Sequence, residues 1–380
     1  MRIDWILCAF AMSLPAQDPV PAFELADGDR VVFLGNTFAE REALNGCIET
    51  ALTRRFPGRR ISFRNLGWSG DSVDVQLRPS GFPPLETWLE QTRPTVVFAA
   101  FGMNESHAGE AGIDAFARAL DAFLDRLAPT KARVVLLSPI RHEALAPPFA
   151  DPADHNRALK LYVEALRSAA ARRKLAFVDL FESLKDWPFP LTENGIHLNA
   201  HGYARAARAI EGALGLLPLW KLQIDASGKV SPAGGAAVDE PHFDGTTLRF
   251  KVTKKTLSME DRPLKVTGLS PGRWVLKAGG VSFASGSAEE WAMGVDVSSG
   301  PTEELRRAIV QKNELYFHRW RPQNAEYIYG TRSRAQGANV GNPQFASEFR
   351  LVESLVEERE KEIHALVRPV AETWELSKQP

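Results

Sequence analysis

Hydrophobic positions between residues 30 and 217 fall into short β-branched runs separated by longer stretches with helical spacing. The runs are Val31-Val-Phe-Leu34, Ile61-Ser-Phe-Arg-Asn-Leu66, Thr95-Val-Val-Phe-Ala-Ala100, Val134-Val-Leu-Leu137 and Ala176-Phe-Val-Asp-Leu180. Helical spacing covers Glu40 to Arg55, Ile113 to Leu127, Asp154 to Arg173 and Ala200 to Leu214. Strands alternating with crossover helices predict a parallel sheet in an α/β domain over residues 24–217. Ligands of such sheets bind beyond the carboxyl ends of the strands, so the residues just past each run are the ones to examine for chemistry.

Beyond Trp220 the pattern shortens to alternating strands broken by Gly and Pro, as in Leu248-Arg-Phe-Lys-Val252, Leu264-Lys-Val-Thr267 and Trp274-Val-Leu-Lys277, which predicts a small β-rich unit over 218–300. From Pro301 the chain turns helical, through Glu303 to Phe317 and then Glu348 to about Leu366. In the second stretch Phe349, Val352, Val356, Ile363 and Leu366 form an apolar stripe. A helical C-terminal extension over 301–372, packed on the main domain, is expected.

Residues 1–17 read as a leader: Met1-Arg2, an apolar run from Trp5 to Leu14, and Pro15-Ala16-Gln17 at a small-residue cleavage site. The run is too short to span a bilayer, so a secreted or periplasmic mature chain without a membrane span is expected. Cleavage would leave Cys47 as a single thiol, best read as a core residue, and no internal disulfide. Hydrophobic content of 44%, charged content of 24% and a formal charge of -1 suit a soluble globular protein with no field for gathering nucleic acid.

Four post-strand segments carry candidate chemistry: Gly35-Asn36-Thr37, Asn65-Leu-Gly-Trp-Ser-Gly-Asp71, Gly102-Met-Asn104 and Asn194-Gly-Ile-His197. Acyl transfer needs a hydroxyl nucleophile, a His base oriented by a third group, and N–H donors where the oxyanion develops. Thr37 begins a helix, where its hydroxyl meets the positive end of the dipole. Gly70 offers a backbone N–H, Asn104 a side-chain amide, and His197 a base with a polar residue close before it.

In order and spacing these segments resemble the blocks of the GDSL/SGNH hydrolase superfamily, over roughly residues 30 to 215. The resemblance implies a three-layer α/β/α flavodoxin-like parallel sheet, oxyanion donors at Gly70 and Asn104, a base at His197, and no cofactor. It also exposes departures. Thr37 stands where the nucleophilic Ser belongs and Asn194 where the His-orienting Asp belongs, while Asn36 and Glu105 replace neighbouring Asp residues. The Thr methyl crowds attack on a carbonyl. Asn supplies no charge for the imidazolium, and the corresponding change in serine proteases costs roughly 10⁴ in turnover.

Other polar residues near the blocks have ordinary readings beside sharper ones. Trp68 and Asp71 flank Gly70 and could stack on and hydrogen-bond a sugar ring, or simply pack. Glu193 is an alternative partner for His197, or a solvated carboxylate. His201 lies four residues after His197, but no third ligand accompanies the pair and no metal is expected. Ser69 and Ser72 are spare hydroxyls. In Phe317-His-Arg-Trp-Arg-Pro-Gln-Asn324, Arg319 and Arg321 either face an anionic substrate or dock the helices. The leading reading is an exported esterase or carbohydrate deacylase acting through Thr37, His197 and Asn194 on a small-molecule or carbohydrate ester. The alternative is a catalytically silent relative that binds a glycan or ester-bearing ligand, and a third is a non-covalent reaction using Asn104, Asp71, Glu105 and His197.

Overall fold

The computed structural model describes residues 23–379 apart from 80–81, 186, 217–221, 232–233, 256–262, 298–301 and 322–345. The expected leader, Cys8 and the Pro322-Gln-Asn324 end of the arginine segment lie outside the described residues.

Five parallel strands form the main sheet: β1 (Arg30–Gly35), β2 (Ser62–Asn65), β3 (Val96–Ala100), β4 (Arg133–Leu137) and β5 (Ala176–Val178), in the order β2-β1-β3-β4-β5. Alternate residues of each strand point to opposite faces. Val31, Phe33, Phe98 and Leu137 enter one apolar cluster with α2 (Cys47–Arg55), α6 (Leu180–Ser183) and α7 (Ala200–Ala213). Val32, Leu34, Val97 and Leu136 enter the other with α3 (Leu85–Thr92), α4 (Ile113–Leu127) and α5 (Ala153–Arg173). This is the three-layer α/β/α arrangement, and both faces are covered as a parallel sheet requires.

The single helical stretch expected from Glu40 to Arg55 is two helices, α1 (Thr37–Asn45) and α2, parted at Gly46 in the left-handed region (φ 64). A Cβ there would also lie 3.0 Å from Val310 of a crossing helix. The buried Glu42 carboxylate reaches across the break and accepts from the N–H groups of Ile48 at 2.7 Å and Glu49 at 3.1 Å. Burial pushes its acid up to about 8, against the pull of these donors.

The second half is interleaved. Strands β7 (Ala236–Phe243), β8 (Thr247–Lys254), β10 (Arg273–Ala278) and β11 (Val281–Ser287) join a last strand, β13 (Ala371–Lys378), in the antiparallel order β11-β10-β13-β8-β7. The strands β6 (Leu222–Asp225), β9 (Pro263–Thr267) and β12 (Val295–Asp296) form a second sheet, and α8 (Ala288–Met293) follows β11. Between the sheets lie the fully buried Trp274, Trp291 and Trp374. The β-unit is therefore closed only when residues 371–378, which begin inside the expected helical extension and run past its end at 372, return to its centre. The stretch Thr373-Trp-Glu-Leu376 alternates over too few positions to stand out beside the preceding helix.

Before that return the chain makes two helices, α9 (Thr302–Trp320) and α10 (Ala346–Leu366). They cover the exposed edge of β2, whose carbonyls are satisfied from outside the sheet. Lys312 Nζ donates to Phe63 O at 3.1 Å, and His364 Nε2 donates to Ile61 O at 3.0 Å. Lys312 is fully buried, and its main partner is the Glu49 carboxylate at 2.6 Å, which also accepts from Asn313 at 3.1 Å. Arg64 of β2 pairs with Glu360 at 2.5 Å and Glu353 at 3.1 Å on α10. No helix among the described residues is long and apolar enough to cross a membrane.

Removing one member of a buried ion pair strands the other charge, at a cost of about 3–5 kcal/mol. Lys312→Ala is expected to lose stability on that scale in denaturant unfolding; a loss below about 1 kcal/mol would contradict the anchoring role given to the pair.

Candidate active site

The segments picked out by position meet at the carboxyl end of the sheet. At the end of β1, Gly35 has φ 148, and a Cβ there would come within 2.4 Å of the Ala100 carbonyl of β3. The turn can therefore lie flat on the neighbouring strand. Asn36 caps α1, its side-chain oxygen accepting from Phe38 N–H at 3.1 Å, so it does the capping work of an Asp in this place without the charge. Thr37 is the first helical residue.

After β2 the chain turns through Gly67 to Asp71, with Trp68 N–H donating to Gly35 O at 2.9 Å. Gly70 lies exposed at φ 88. After β3, the Asn104 amide donates to Asp71 O at 2.8 Å, which ties the two expected oxyanion elements together. Glu105 is a loop clasp: its carboxylate accepts from Gly102 N–H at 2.8 Å and Val73 N–H at 2.9 Å. Burial raises its acid above the ordinary range in spite of these donors.

Asn36, Thr37, Asn104 and His197 line one cavity of about 40 Å³, whose other walls include Phe38, Met103, Ile140 and Ile196. Burial, and then the positive charge of Arg41, hold His197 below its ordinary range, with Glu193 pulling the other way. Glu193 itself pairs with Arg41 at 2.7 Å, and His197 is held by Asn194.

The Asn194 contact has a definite polarity. Asn194 Oδ1 accepts from His197 N–H at 3.0 Å and from Ile196 N–H at 3.4 Å. Its Nδ2 therefore faces His197 Nδ1, at 3.1 Å. An amide nitrogen only donates, so Nδ1 accepts and the proton of the neutral ring sits on Nε2. A base needs a lone pair at Nε2. Flipping the amide would free the ring for the other tautomer but leave two backbone donors without their acceptor, at roughly 1–3 kcal/mol for each one left buried. Aspartate would face neither conflict, since both of its oxygens accept.

The loop carrying Asn194 and His197 is braced by a segment that the sequence reading did not single out. Glu143 accepts from Leu191 N–H at 2.9 Å and Thr192 N–H at 2.9 Å, and its own N–H donates to Gly195 O at 2.8 Å. His142 Nδ1 meets His155 Nδ1 at 2.9 Å, and His155 Nε2 meets Ser106 Oγ at 2.8 Å, two residues from Asn104. Ser106 donates to Met103 O at 2.6 Å, so His155 donates to Ser106 and accepts from His142, with both rings neutral. Burial, then His107 and His142, push His155 down to about 4, and burial with His107 lowers His142. His142 and Glu143 follow β4, so the post-strand rule applied to a fifth segment would have found them.

The remaining candidates are occupied elsewhere. Trp68 carries the Arg78 guanidinium at 4.1 Å and the Arg321 guanidinium at 3.6 Å from its ring centre, so the ring is engaged by the protein's own cations. Asp71 is buried and bidentate to Arg78 at 2.7 and 2.6 Å, so its carboxylate serves the turn. Burial raises the Asp71 acid and Arg78 opposes the shift. Arg319 donates to Gln91 at 3.2 Å and packs between Trp88 and Phe349, as a helix-docking residue does. His201 Nε2 accepts from Trp187 at 3.1 Å, Ser72 Oγ donates to Asp74 at 3.0 Å, and the Cys47 thiol is pushed up to about 12, first by burial. Among the described residues no group of three or more His, Cys, Asp or Glu is placed to hold a metal.

Residues 29–205 match the model of the GDSL-like lipase/acylhydrolase family. Among solved structures, a gut microbial diltiazem-metabolizing enzyme is similar at 18% identity and a TM-score of 0.70, over 94% of this chain and 99% of its own. LAE5, an alpha/beta hydrolase from the metagenome of Lake Arreo, Spain, is 22% identical with a TM-score of 0.41 over 51% of this chain and 98% of its own. Axe2, an acetylxylan esterase from Geobacillus stearothermophilus, is 18% identical with a TM-score of 0.40 over 51% of this chain and 97% of its own. No curated protein matches the chain in sequence. The first likeness spans both halves, so the β-unit and the α9–α10 pair belong to a shared fold. Over residues 29–205 the chain is similar to the GDSL-like lipase/acylhydrolase family.

Proposed function

We propose that the protein is an exported ester hydrolase that removes short acyl groups from a small-molecule or carbohydrate alcohol. Thr37 is the nucleophile, His197 the base, Asn194 its orienting partner, and Gly70 N–H and Asn104 the oxyanion donors. The observation that carries this reading is the single cavity of about 40 Å³ shared by Thr37, Asn104 and His197. Its remaining walls are mostly apolar, which suits a short acyl chain. The hydroxyl stands at the N-terminus of α1, where the helix dipole favours a developing negative charge.

The polarity of the Asn194 contact makes the reaction in this cleft slow. Attack by Thr37 needs a lone pair on His197 Nε2, which exists only in the minor tautomer. Each donor left unsatisfied by a flipped amide disfavours that tautomer by about 1–3 kcal/mol, which is one to two powers of ten in population. The missing carboxylate also withholds stabilisation from the imidazolium. A second reading, a binding protein with silent chemistry, rests on the same Asn194 contact taken to its limit.

Hydrolysis of aryl acetates and acetylated oligosaccharides by the purified protein tests both readings. Thr37→Ala is expected to abolish turnover, Thr37→Ser to keep or raise it, and Asn194→Asp to raise kcat by about 10³–10⁴. Turnover that survives in Thr37→Ala would contradict the covalent route. A parent without turnover, with activity gained only in the Thr37→Ser/Asn194→Asp double variant, would favour the binding protein.

The base acts when neutral, and burial with Arg41 lowers its pKa below 6.5. Activity is therefore retained as pH falls through 6.5 and lost at a lower pH, on the acid limb of kcat/KM. Arg41→Gln should move that limb upward. An acid limb above 6.5 in the parent would contradict the assignment of His197 as base.

A further inference from the structure

The oxyanion turn draws part of its support from outside residues 29–205. Ser69 and Gly70 are exposed, and nothing lies within 4 Å of a Cβ built at Gly70. The turn is instead held by its two ends. At one end Trp68 is in cation–π contact with two guanidiniums; at the other Asp71 is clamped by Arg78 and bonded through its carbonyl to Asn104.

One of those guanidiniums comes from far along the chain. Arg321 directly follows α9, at the far side of the sequence from residues 29–205. Beside its contact with Trp68 it donates to Glu40 Oε2 at 3.1 Å. The same Glu40 oxygen accepts the backbone N–H of Ser69, the residue before Gly70. Glu40 lies in the first turn of α1, three residues after Thr37. The preceding residue, Trp320, is buried edge-on against Trp68, with ring centres 5.6 Å apart. Two layers of the C-terminal helix thus bear on one indole, and one cation completes the carboxylate that grips the turn.

We propose that Arg321 is a positioning residue for the oxyanion hole: by covering Trp68 and neutralising Glu40, it fixes the Ser69–Gly70 turn in register with Thr37. The proposal rests on reading this cleft as an acyl-transfer site. It gives the C-terminal extension a part in the site that is not contact with substrate. A guanidinium is suited to it because it stacks flat on the indole while its edge donates to the carboxylate; an ammonium does the second but not the first. Misplacing a donor by about 1 Å costs on the order of 10²-fold in rate, and losing one outright about 10²–10³-fold.

The test uses the full-length chain in two backgrounds, parent and Thr37→Ser/Asn194→Asp, with Arg321→Ala and Arg321→Lys made in each. Arg321→Ala is expected to lower kcat on aryl acetate by 10- to 100-fold while KM stays within about twofold, and Arg321→Lys to recover only a small part. The second readout needs no turnover. By ¹⁵N relaxation, the Gly70 amide in the parent should be near the rigid backbone value of about 0.85 and fall below about 0.6 in Arg321→Ala, with the melting temperature little changed. If neither background hydrolyses the ester, the hydrolase reading fails and the Gly70 order parameter still decides the role of Arg321. An unchanged Gly70 amide with unchanged kcat, or a fall in melting temperature that carries kcat and KM down together, would overturn the proposal.

Discussion

The seating of α9 in the groove between α2 and the edge of β2 is the contact on which the rest of the molecule depends. It buries Lys312 against Glu49 and lends a donor to the open carbonyl of Phe63. A buried charge pair is not by itself a large source of stability, but it is demanding in register, because a helix displaced along the groove would leave two charges unpaired. That register determines where α9 ends, and α9 ends with Trp320 and Arg321 against Trp68. It also sends the chain on through α10 to β13, the strand that closes the β-unit between β8 and β10. The two halves are consequently interlocked in sequence as well as packed in space.

The site combines an intact scaffold with an altered polarity. The strand ends, the cap on α1, the Asn104 bridge to Asp71 and the brace from Glu143 together hold the groups to which the proposed acyl transfer assigns roles. Asn194 keeps the geometry of an orienting residue and reverses the direction of one hydrogen bond. Because its oxygen is committed to two backbone N–H groups, the reversal is enforced by the loop. His197 then presents a donor to the cavity where the reaction needs an acceptor. For the proposed acyl transfer this polarity is a restriction of its own, added to the crowding methyl of Thr37 and the missing carboxylate at position 194.

Much of this was legible in the sequence because it depends on local spacing. The strand runs, the helices from Ile113 onward and the four post-strand segments follow from periodicities that a chain must obey to bury one face. The rule that ligands sit at strand ends then located Thr37, Asn104 and His197 in one cavity. What stayed hidden depends on long-range partners or on the identity of single atoms. The two guanidiniums that cover Trp68 come from positions 78 and 321, and nothing in the pattern around Trp68 announces them. The strand at 371–378 is short and follows a strong helical stripe, so its partners in β8 and β10 are what make it a strand. The polarity of Asn194 depends on which end of an amide faces a ring, which no residue code records.

The central claim is that the Asn194 amide holds His197 as the Nε2–H tautomer. The most direct measurement is the pair of ring ¹⁵N chemical shifts of His197 in the labelled protein, at a pH above the lowered pKa of the ring. The account predicts an unprotonated Nδ1 and a protonated Nε2, reversing in Asn194→Asp. A parent ring that already carries its proton on Nδ1 would contradict it and return His197 to the role of an ordinary base.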